Sequence, residues 1–80
     1  MKAIEIEQKI DSGLTLYIRT ALRSTVVNKR TLERWRNAGN VMFRDGDNNG
    51  ERGFYIASGK SFVFVSPFGC KVTFEQTKKQ

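Results

Sequence analysis

The chain has 80 residues, of which 39% are hydrophobic and 28% are charged, and its formal net charge at pH 7 is +6. A chain this short buries only roughly 60% of its unfolded surface, which leaves room for one domain, and the composition argues against intrinsic disorder and against a membrane protein. It has no histidine and one cysteine, so the commonest general base is missing and an internal disulfide is excluded. We therefore expect one domain over residues 1–80, with no catalytic activity and no cofactor.

No stretch approaches the roughly 20 apolar residues of a membrane-spanning helix, and the N-terminal segment lacks the apolar run of a signal peptide. The lone Cys70 fits a compartment in which thiols stay reduced. We therefore expect a cytoplasmic protein that does not contact membranes.

Residues 2–9 are predicted to form a short, half-buried strand, because Ile4 and Ile6 alternate with glutamates. The sequence DSG then ends this segment. Its alternation leaves one apolar face and one charged face.

Residues 14–22 are predicted to form a helix, because their apolar positions recur every three or four residues. The apolar set is Leu14, Tyr17, Ile18, Ala21 and Leu22, with Val26 beyond it. The same segment contains β-prone residues, so a hairpin of residues 2–9 with residues 14–22 is the alternative.

Residues 28–38 carry the clearest helix pattern in the chain. Asn28 is a good N-cap, and Gly39 is placed for a left-handed stop at the C-terminal end. Val27 and Leu32 are placed for a hydrophobic staple. Trp35 shares a face with Leu32, and we interpret it as a core residue rather than a base-stacking residue.

The C-terminal half is predicted to be an antiparallel β-meander. A seven-residue polar turn, RDGDNNG, contains the Asn49-Gly50 pair typical of a type I′ hairpin, and the segments GFYIA, SFVFV and KVTFE follow it. SFVFV is apolar on both faces, which favours a central, covered strand; the alternative is a strand that binds a partner. Residues 76–80 form a polar tail that we expect to fray. The sequence thus predicts a small α+β domain, with one or two helices in its N-terminal half followed by the meander.

Two short motifs in the C-terminal half resemble binding sites. DGDNNG matches the start of a calcium loop, but the twelfth position, which should be Glu, is Ile56, so we interpret the segment as a flexible hairpin tip. RGF at residues 52–54 resembles the start of an aromatic RNA-binding strand. The aromatic residues concerned, which we interpret as core with base stacking as the alternative, are Phe54, Tyr55, Phe62 and Phe64.

The positive charge is concentrated in one third of the chain. Residues 19–44 hold seven cations against a single acidic residue, Glu33. Clustered cations are typical of polyanion binding, because neutralised phosphates release counterions, although small basic proteins also use them for solubility alone. The cations of this region that we predict to contact nucleic acid are Arg23, Lys29, Arg30, Arg34, Arg36 and Arg44.

The segment VNKRTLERWRNAGNV resembles the second helix of winged helix-turn-helix proteins of the MerR and excisionase type. The matching residues are Val27, Asn28, Arg30, Thr31, Leu32, Arg34, Trp35 and Gly39. The resemblance covers residues 14–56 and implies a first helix over 14–22 and a second helix in the major groove of DNA. It further implies that the second helix turns Lys29, Arg30, Arg34 and Asn37 toward DNA, and that a β-hairpin wing places Arg52 on phosphate. If residues 14–22 are instead a strand, the chain is a sheet with one basic helix packed across it.

We therefore expect a small DNA-binding regulatory or architectural protein whose partner is double-stranded DNA. A second hypothesis is a protein-binding inhibitor or accessory factor of the kind that phages and other mobile elements encode, with a partner protein or a second copy binding the Phe62–Val65 strand. A third is binding of RNA or single-stranded nucleic acid through aromatic residues of the sheet. Salt-dependent duplex binding favours the first hypothesis, self-association the second, and loss of single-strand binding on changing Phe54 or Tyr55 the third.

Overall fold

The computed structural model describes residues 2–20, 24–66 and 68–76, which form two helices and six strands. In chain order the elements are α1 (Ala3–Asp11), β1 (Leu14–Arg19), β2 (Ser24–Val27), α2 (Lys29–Asn37), β3 (Phe43–Asn48), β4 (Glu51–Ser58), β5 (Ser61–Val65) and β6 (Lys71–Gln76). Both helices lie in the N-terminal half, so the predicted α+β class is confirmed. Of the predicted frayed tail, Gln76 belongs to β6, and residues 77–80 lie outside the described residues.

Within the described residues the strands form two three-stranded antiparallel sheets. Sheet A has the order β2-β1-β6, and sheet B has the order β3-β4-β5. The predicted meander is correct for β3, β4 and β5. In contrast, β6 leaves it and pairs along β1, where Leu16 lies opposite Phe74.

The prediction of a strand over residues 2–9 is wrong, because this segment forms α1. Ala3, Ile6 and Ile10 are buried at helical spacing, while Ile4 is 63% exposed. Lys2 at the N-cap provides no side-chain hydrogen bond, and the Ala3 N–H instead donates to Asp45 Oδ1 of β3 at 2.6 Å. The helix start is therefore stabilised by a carboxylate 42 positions away, so no local sequence signal marks it.

The prediction of a helix over residues 14–22 is also wrong, because residues 14–19 form β1, the central strand of sheet A. Leu16 and Ile18 alternate into the core, and Tyr17 between them is 37% exposed. The alternative prediction, a hairpin of residues 2–9 with residues 14–22, is correct that residues 14–19 form a strand. Its pairing partner is wrong, because β1 pairs with β2 and β6. A strand here removes the first helix of the expected helix-turn-helix.

The prediction of a capped helix after Asn28 is confirmed. The Asn28 side chain accepts a hydrogen bond from the Thr31 N–H at 2.9 Å, and Gly39 has a φ of +78° just beyond the helix. Val27 and Leu32, the two predicted staple residues, are both buried in the core. Signals within twelve residues of sequence thus position α2.

The β3–β4 hairpin has a tighter turn than the sequence predicts. The predicted Asn49-Gly50 pair has positive φ at both residues and joins Asn48 to its cross-strand partner Glu51. Most of the predicted seven-residue turn is therefore strand. The described residues contain no group of three Cys, Asp or Glu side chains that could hold a metal ion, and Asp45 of the calcium-like motif instead bonds the start of α1.

Both helices and both sheets share one hydrophobic core. Its buried side chains are Ala3, Ile6, Ile10, Leu16, Ile18, Val27, Leu32, Met42, Phe43, Phe54, Ile56 and Val65. Trp35 packs against this cluster and is partly buried, as predicted. Across the described ranges, no helix is long and apolar enough to cross a membrane.

The SFVFV segment, β5, lies at the edge of sheet B, which corrects its interpretation as a central strand covered on both faces. Val65 is buried in the core, but Val63 on the same face is 40% exposed. Phe62 and Phe64 point to the other face and are partly exposed. Among the described strands, its one hydrogen-bonded neighbour is β4.

Candidate nucleic-acid interface

The outer face of α2, which we define as Arg30, Glu33, Arg34 and Asn37, is exposed along its length. The two arginines and Asn37 follow one another at steps of four and three residues, so they lie on one side of the helix, and Leu32 on the opposite side is buried. Neither arginine forms an ion pair with any residue that the structure describes. Both guanidinium groups are therefore available to an anionic ligand.

Arg36, a predicted DNA contact on the same helix, points toward α1. Its guanidinium donates hydrogen bonds to Asp11 Oδ1 and Glu7 Oε1, each at 2.8 Å. These bonds raise the pKa of Arg36 above its ordinary value. The hydrogen bond from Arg36 also lowers the pKa of Asp11, and the charge of Lys29 lowers it further by a smaller amount. Two carboxylates thus compensate the charge of Arg36 within the protein.

Arg44, in β3, lies on a different surface from the outer face of α2. Its Cζ atom is 4.6 Å from the ring centroid of Phe62 and 5.2 Å from that of Tyr55. Guanidinium groups at these distances are attracted to the negative face of an aromatic ring. The structure therefore joins Arg44 to aromatic residues of sheet B rather than to the cations of α2.

Arg52, expected on the wing, lies opposite Asp47 in the β3–β4 hairpin. It lines an open hollow with Lys2, Glu5, Asp45 and Asp47. Three acidic residues surround two cations there, so this region lacks the excess positive charge that favours phosphate. Arg23, another predicted contact, lies outside the described residues.

The four aromatic residues considered for base stacking divide between the two faces of sheet B. Phe54 is fully buried, and its ring contacts Phe43 edge to face with centroids 6.1 Å apart. Tyr55, Phe62 and Phe64 alternate to the opposite face, where they are partly exposed. We define the outer face of sheet B as these three residues together with Arg44, Gly46 and Gly53.

An open groove of about 680 Å³ lies between the C-terminal end of α2 and the outer face of sheet B. Its lining includes Trp35, Asn40, Val41, Arg44, Lys60 and Phe62. Lys60 is absent from the predicted contacts. Lys60 reaches the groove because it lies in the two-residue turn between Ser58 and Ser61, in which Gly59 has a φ of +61°. The glycine in SGKS is the sequence signal for that turn.

Comparisons of the chain with models of protein families, with curated proteins and with solved structures find no match. Two exposed surfaces of the described structure differ in their chemistry. The outer face of α2 offers two exposed guanidinium groups that form no ion pair with the described residues. The outer face of sheet B offers aromatic rings beside a cation.

Proposed function

We propose that this chain is a small DNA-binding protein of regulatory or architectural type, which docks the outer face of α2 on a DNA duplex. One observation carries the proposal: Arg30 and Arg34 are exposed side by side and have no ion-pair partner among the described residues. Each guanidinium can contact a phosphate or a base edge, and Asn37 adds a side chain able to bond an adenine edge.

Charge favours this partner over a neutral one. The chain carries a net charge of +6, and a cationic surface releases condensed counterions when it neutralises phosphates. Glu33 is the acidic residue of the outer face, and it disfavours phosphate contacts next to it. Arg36 contributes less than its neighbours because Asp11 and Glu7 already bind it.

The test is a salt titration of binding to a labelled DNA duplex, followed by fluorescence anisotropy. Each phosphate contact contributes roughly −0.9 to the slope of log affinity against log salt concentration. We expect Arg30→Ala/Arg34→Ala to weaken binding and to make that slope shallower by about two. Circular dichroism of the variant checks that the fold is retained.

Arg19→Ala/Lys71→Ala is the matched control, because it removes two exposed cations that face each other across β1 and β6 of sheet A. It changes the net charge by the same amount and leaves α2 untouched. We expect its slope to stay close to that of the wild type. Duplex binding that does not respond to salt, or equal losses in the two double variants, would contradict the proposal.

A second candidate function is self-association through β5. The observation that favours it is the position of β5 at the edge of sheet B among the described strands, with Val63 40% exposed. Two copies of β5 could pair across a two-fold axis and continue sheet B into a partner. Sedimentation velocity tests self-association, and we expect Val63→Lys to convert the dimer to a monomer. A wild-type chain that stays monomeric at about 100 μM would have a dimer dissociation constant above that concentration, which excludes a stable dimer.

A further inference from the structure

The outer face of sheet B has no role in the duplex-binding proposal. We propose that it is a second binding site, which stacks unpaired bases of a single-stranded nucleic acid beside Arg44 on Tyr55, Phe62 and Phe64, with Lys60 placed for a phosphate. The site is separate from the outer face of α2, and the proposal does not depend on duplex binding.

The register of sheet B brings the aromatic rings together. Tyr55 lies between Arg44 and Phe64 in one cross-strand row, and Phe62 lies two residues before Phe64 on the same face. The rings of Tyr55 and Phe64 meet edge to face with centroids 5.2 Å apart. Arg44 contacts Tyr55 and Phe62. Three rings and one guanidinium thus form a continuous surface.

Two glycines allow the rings to lie close to the sheet. Gly46 and Gly53 are cross-strand partners on this face. A Cβ atom at Gly46 would lie 2.5 Å from Tyr55 Cε2, and one at Gly53 would lie 2.7 Å from Phe64 Cζ. The rings of Tyr55 and Phe64 therefore lie directly over the backbone of these glycines, where any side chain would displace them.

The groove extends this aromatic surface toward α2. It joins Phe62 and Arg44 to Trp35 and to the exposed Lys60. Its volume of about 680 Å³ falls within the roughly 300–1,000 Å³ typical of small-ligand sites. A base next to one stacked on Phe62 would therefore enter a groove that also contains Trp35 and the two cations Arg44 and Lys60.

The combination of rings and cations favours a nucleic acid strand over a protein or a neutral ligand. Every base presents a π face to a ring, so a platform of aromatic residues binds single strands with little sequence preference, and arginine adds cation–π attraction. The polyanionic backbone also complements the +6 net charge. An acidic protein would satisfy Arg44 and Lys60 but would leave the three rings without a planar partner.

Binding of labelled oligothymidylate and oligouridylate of about 12 nucleotides, a length within the range of single-strand-binding domains, tests the proposal in the full chain. We expect the wild type to bind both probes and to show quenching of its one tryptophan, Trp35. Phe62→Leu/Phe64→Leu, which keeps apolar bulk but removes two rings, should weaken binding roughly 5- to 100-fold. Phe62→Tyr, which keeps the ring, should stay within about twofold of the wild type, a change of about 0.4 kcal/mol at most.

Tyr17→Leu is the matched control, because it also replaces an exposed ring by an apolar side chain, but on β1 of sheet A rather than on sheet B. We expect it to bind both probes like the wild type. Arg44→Lys keeps the charge but removes the planar guanidinium, and we expect it to lose part of its affinity for both probes. This variant tests the proposal if Phe62→Leu/Phe64→Leu fails to fold. Circular dichroism and thermal unfolding establish which variants are folded.

The outcomes separate this site from the outer face of α2. Ring-dependent binding that survives in Arg30→Ala/Arg34→Ala supports the proposal, and the ratio of the two probes shows whether DNA or RNA is preferred. Absence of single-strand binding near 50 mM salt overturns it. So does binding that is lost in the α2 variant but unchanged in folded Phe62→Leu/Phe64→Leu, a result that would leave the duplex proposal standing.

Discussion

The two faces of sheet B carry the same kinds of residue but expose them differently. On the inner face Phe54 is fully buried against Phe43. On the outer face Tyr55 and Phe62 are partly exposed, and Arg44 rather than an aliphatic side chain packs on them. Strand register therefore decides whether an aromatic residue is buried in the core or partly exposed on the surface, and residue type alone does not.

The cations of α2 divide in the same way. Arg30 and Arg34 reach solvent, while Arg36, two residues further on, turns to α1 and binds Asp11 and Glu7. The helical period separates these neighbours, because consecutive residues point about 100° apart. A count of basic residues thus overstates the charge that α2 offers to a polyanion.

Replacing an inner-face aromatic residue should have the largest effect. Phe54→Ala leaves a cavity in the core, and we expect a loss of about 3–5 kcal/mol in the free energy of unfolding, a large part of the roughly 4–12 kcal/mol available to a chain of this length. Phe64→Ala on the outer face should cost less than half as much, because part of its ring already contacts solvent. Urea unfolding followed by circular dichroism measures both, and equal losses would contradict the assignment of faces.

The close contact between Gly53 and β5 gives the next largest effect. A Cβ atom at this position would clash with the Val65 carbonyl oxygen and with the Phe64 ring, so we expect Gly53→Ala to lower the free energy of unfolding by about 1–3 kcal/mol. Gly69→Ala is the control, because the nearest atom there, Ser66 Cβ, is 3.9 Å away. Its effect should stay within about 0.5 kcal/mol, and thermal or urea unfolding compares the two variants.

Removing the guanidinium from the outer face of sheet B should have a smaller effect on stability. Arg44 contacts two rings, so we expect Arg44→Ala to cost about 1 kcal/mol in the free energy of unfolding. Arg52→Ala, which removes an exposed cation from the neighbouring strand, should stay within about 0.5 kcal/mol. If urea unfolding gives the two variants the same stability, the stacking of Arg44 contributes nothing measurable.

The ion pair between α2 and α1 should contribute least. Surface pairs of this kind are worth about 0.2–1 kcal/mol, so we expect Asp11→Asn to cost roughly 0.5 kcal/mol near neutral pH. Because the folded state lowers the pKa of Asp11 below its ordinary 3.8, the contribution is complete above that value and is lost as the pH falls through the lowered pKa. Unfolding of wild type and variant at several pH values measures this, and a difference that persists in strong acid would contradict it.

Asp11→Asn also sharpens the comparison of cations on α2. It leaves Arg36 with Glu7 as its carboxylate partner and removes one negative charge, so we expect duplex affinity to rise modestly if α2 contacts DNA. Glu75→Gln, which makes the same charge change on the exposed end of β6, is the control. Equal gains in anisotropy titrations would attribute the effect to net charge alone.

Local signals in the sequence predict some elements of this fold and fail for others. The helix after Asn28 is predicted correctly because its cap and its glycine stop lie beside it. The Asn49-Gly50 turn is likewise marked by its own two residues. The strand predicted over residues 2–9 is a helix that buries Ala3, Ile6 and Ile10 on one face. Its first N–H bonds Asp45, far along the chain, and the alternation of Ile4 and Ile6 reveals neither feature.

The sequence by itself determined the α+β class, the limits of α2, the position of the Asn49-Gly50 turn and the excess of positive charge, since each depends on composition or on residues a few positions apart. Only the tertiary structure decided that residues 14–19 are a strand, because β1 is stabilised by pairing with β6 at the other end of the chain. The tertiary structure also decided which cations and which aromatic rings are exposed to solvent. Arg36 binds carboxylates on α1, 25 and 29 positions earlier in the chain. The pairing of β4 with β5 places Phe54 in the core and Phe62 on the opposite face of the sheet. Each arrangement depends on contacts between segments that are separate in the sequence.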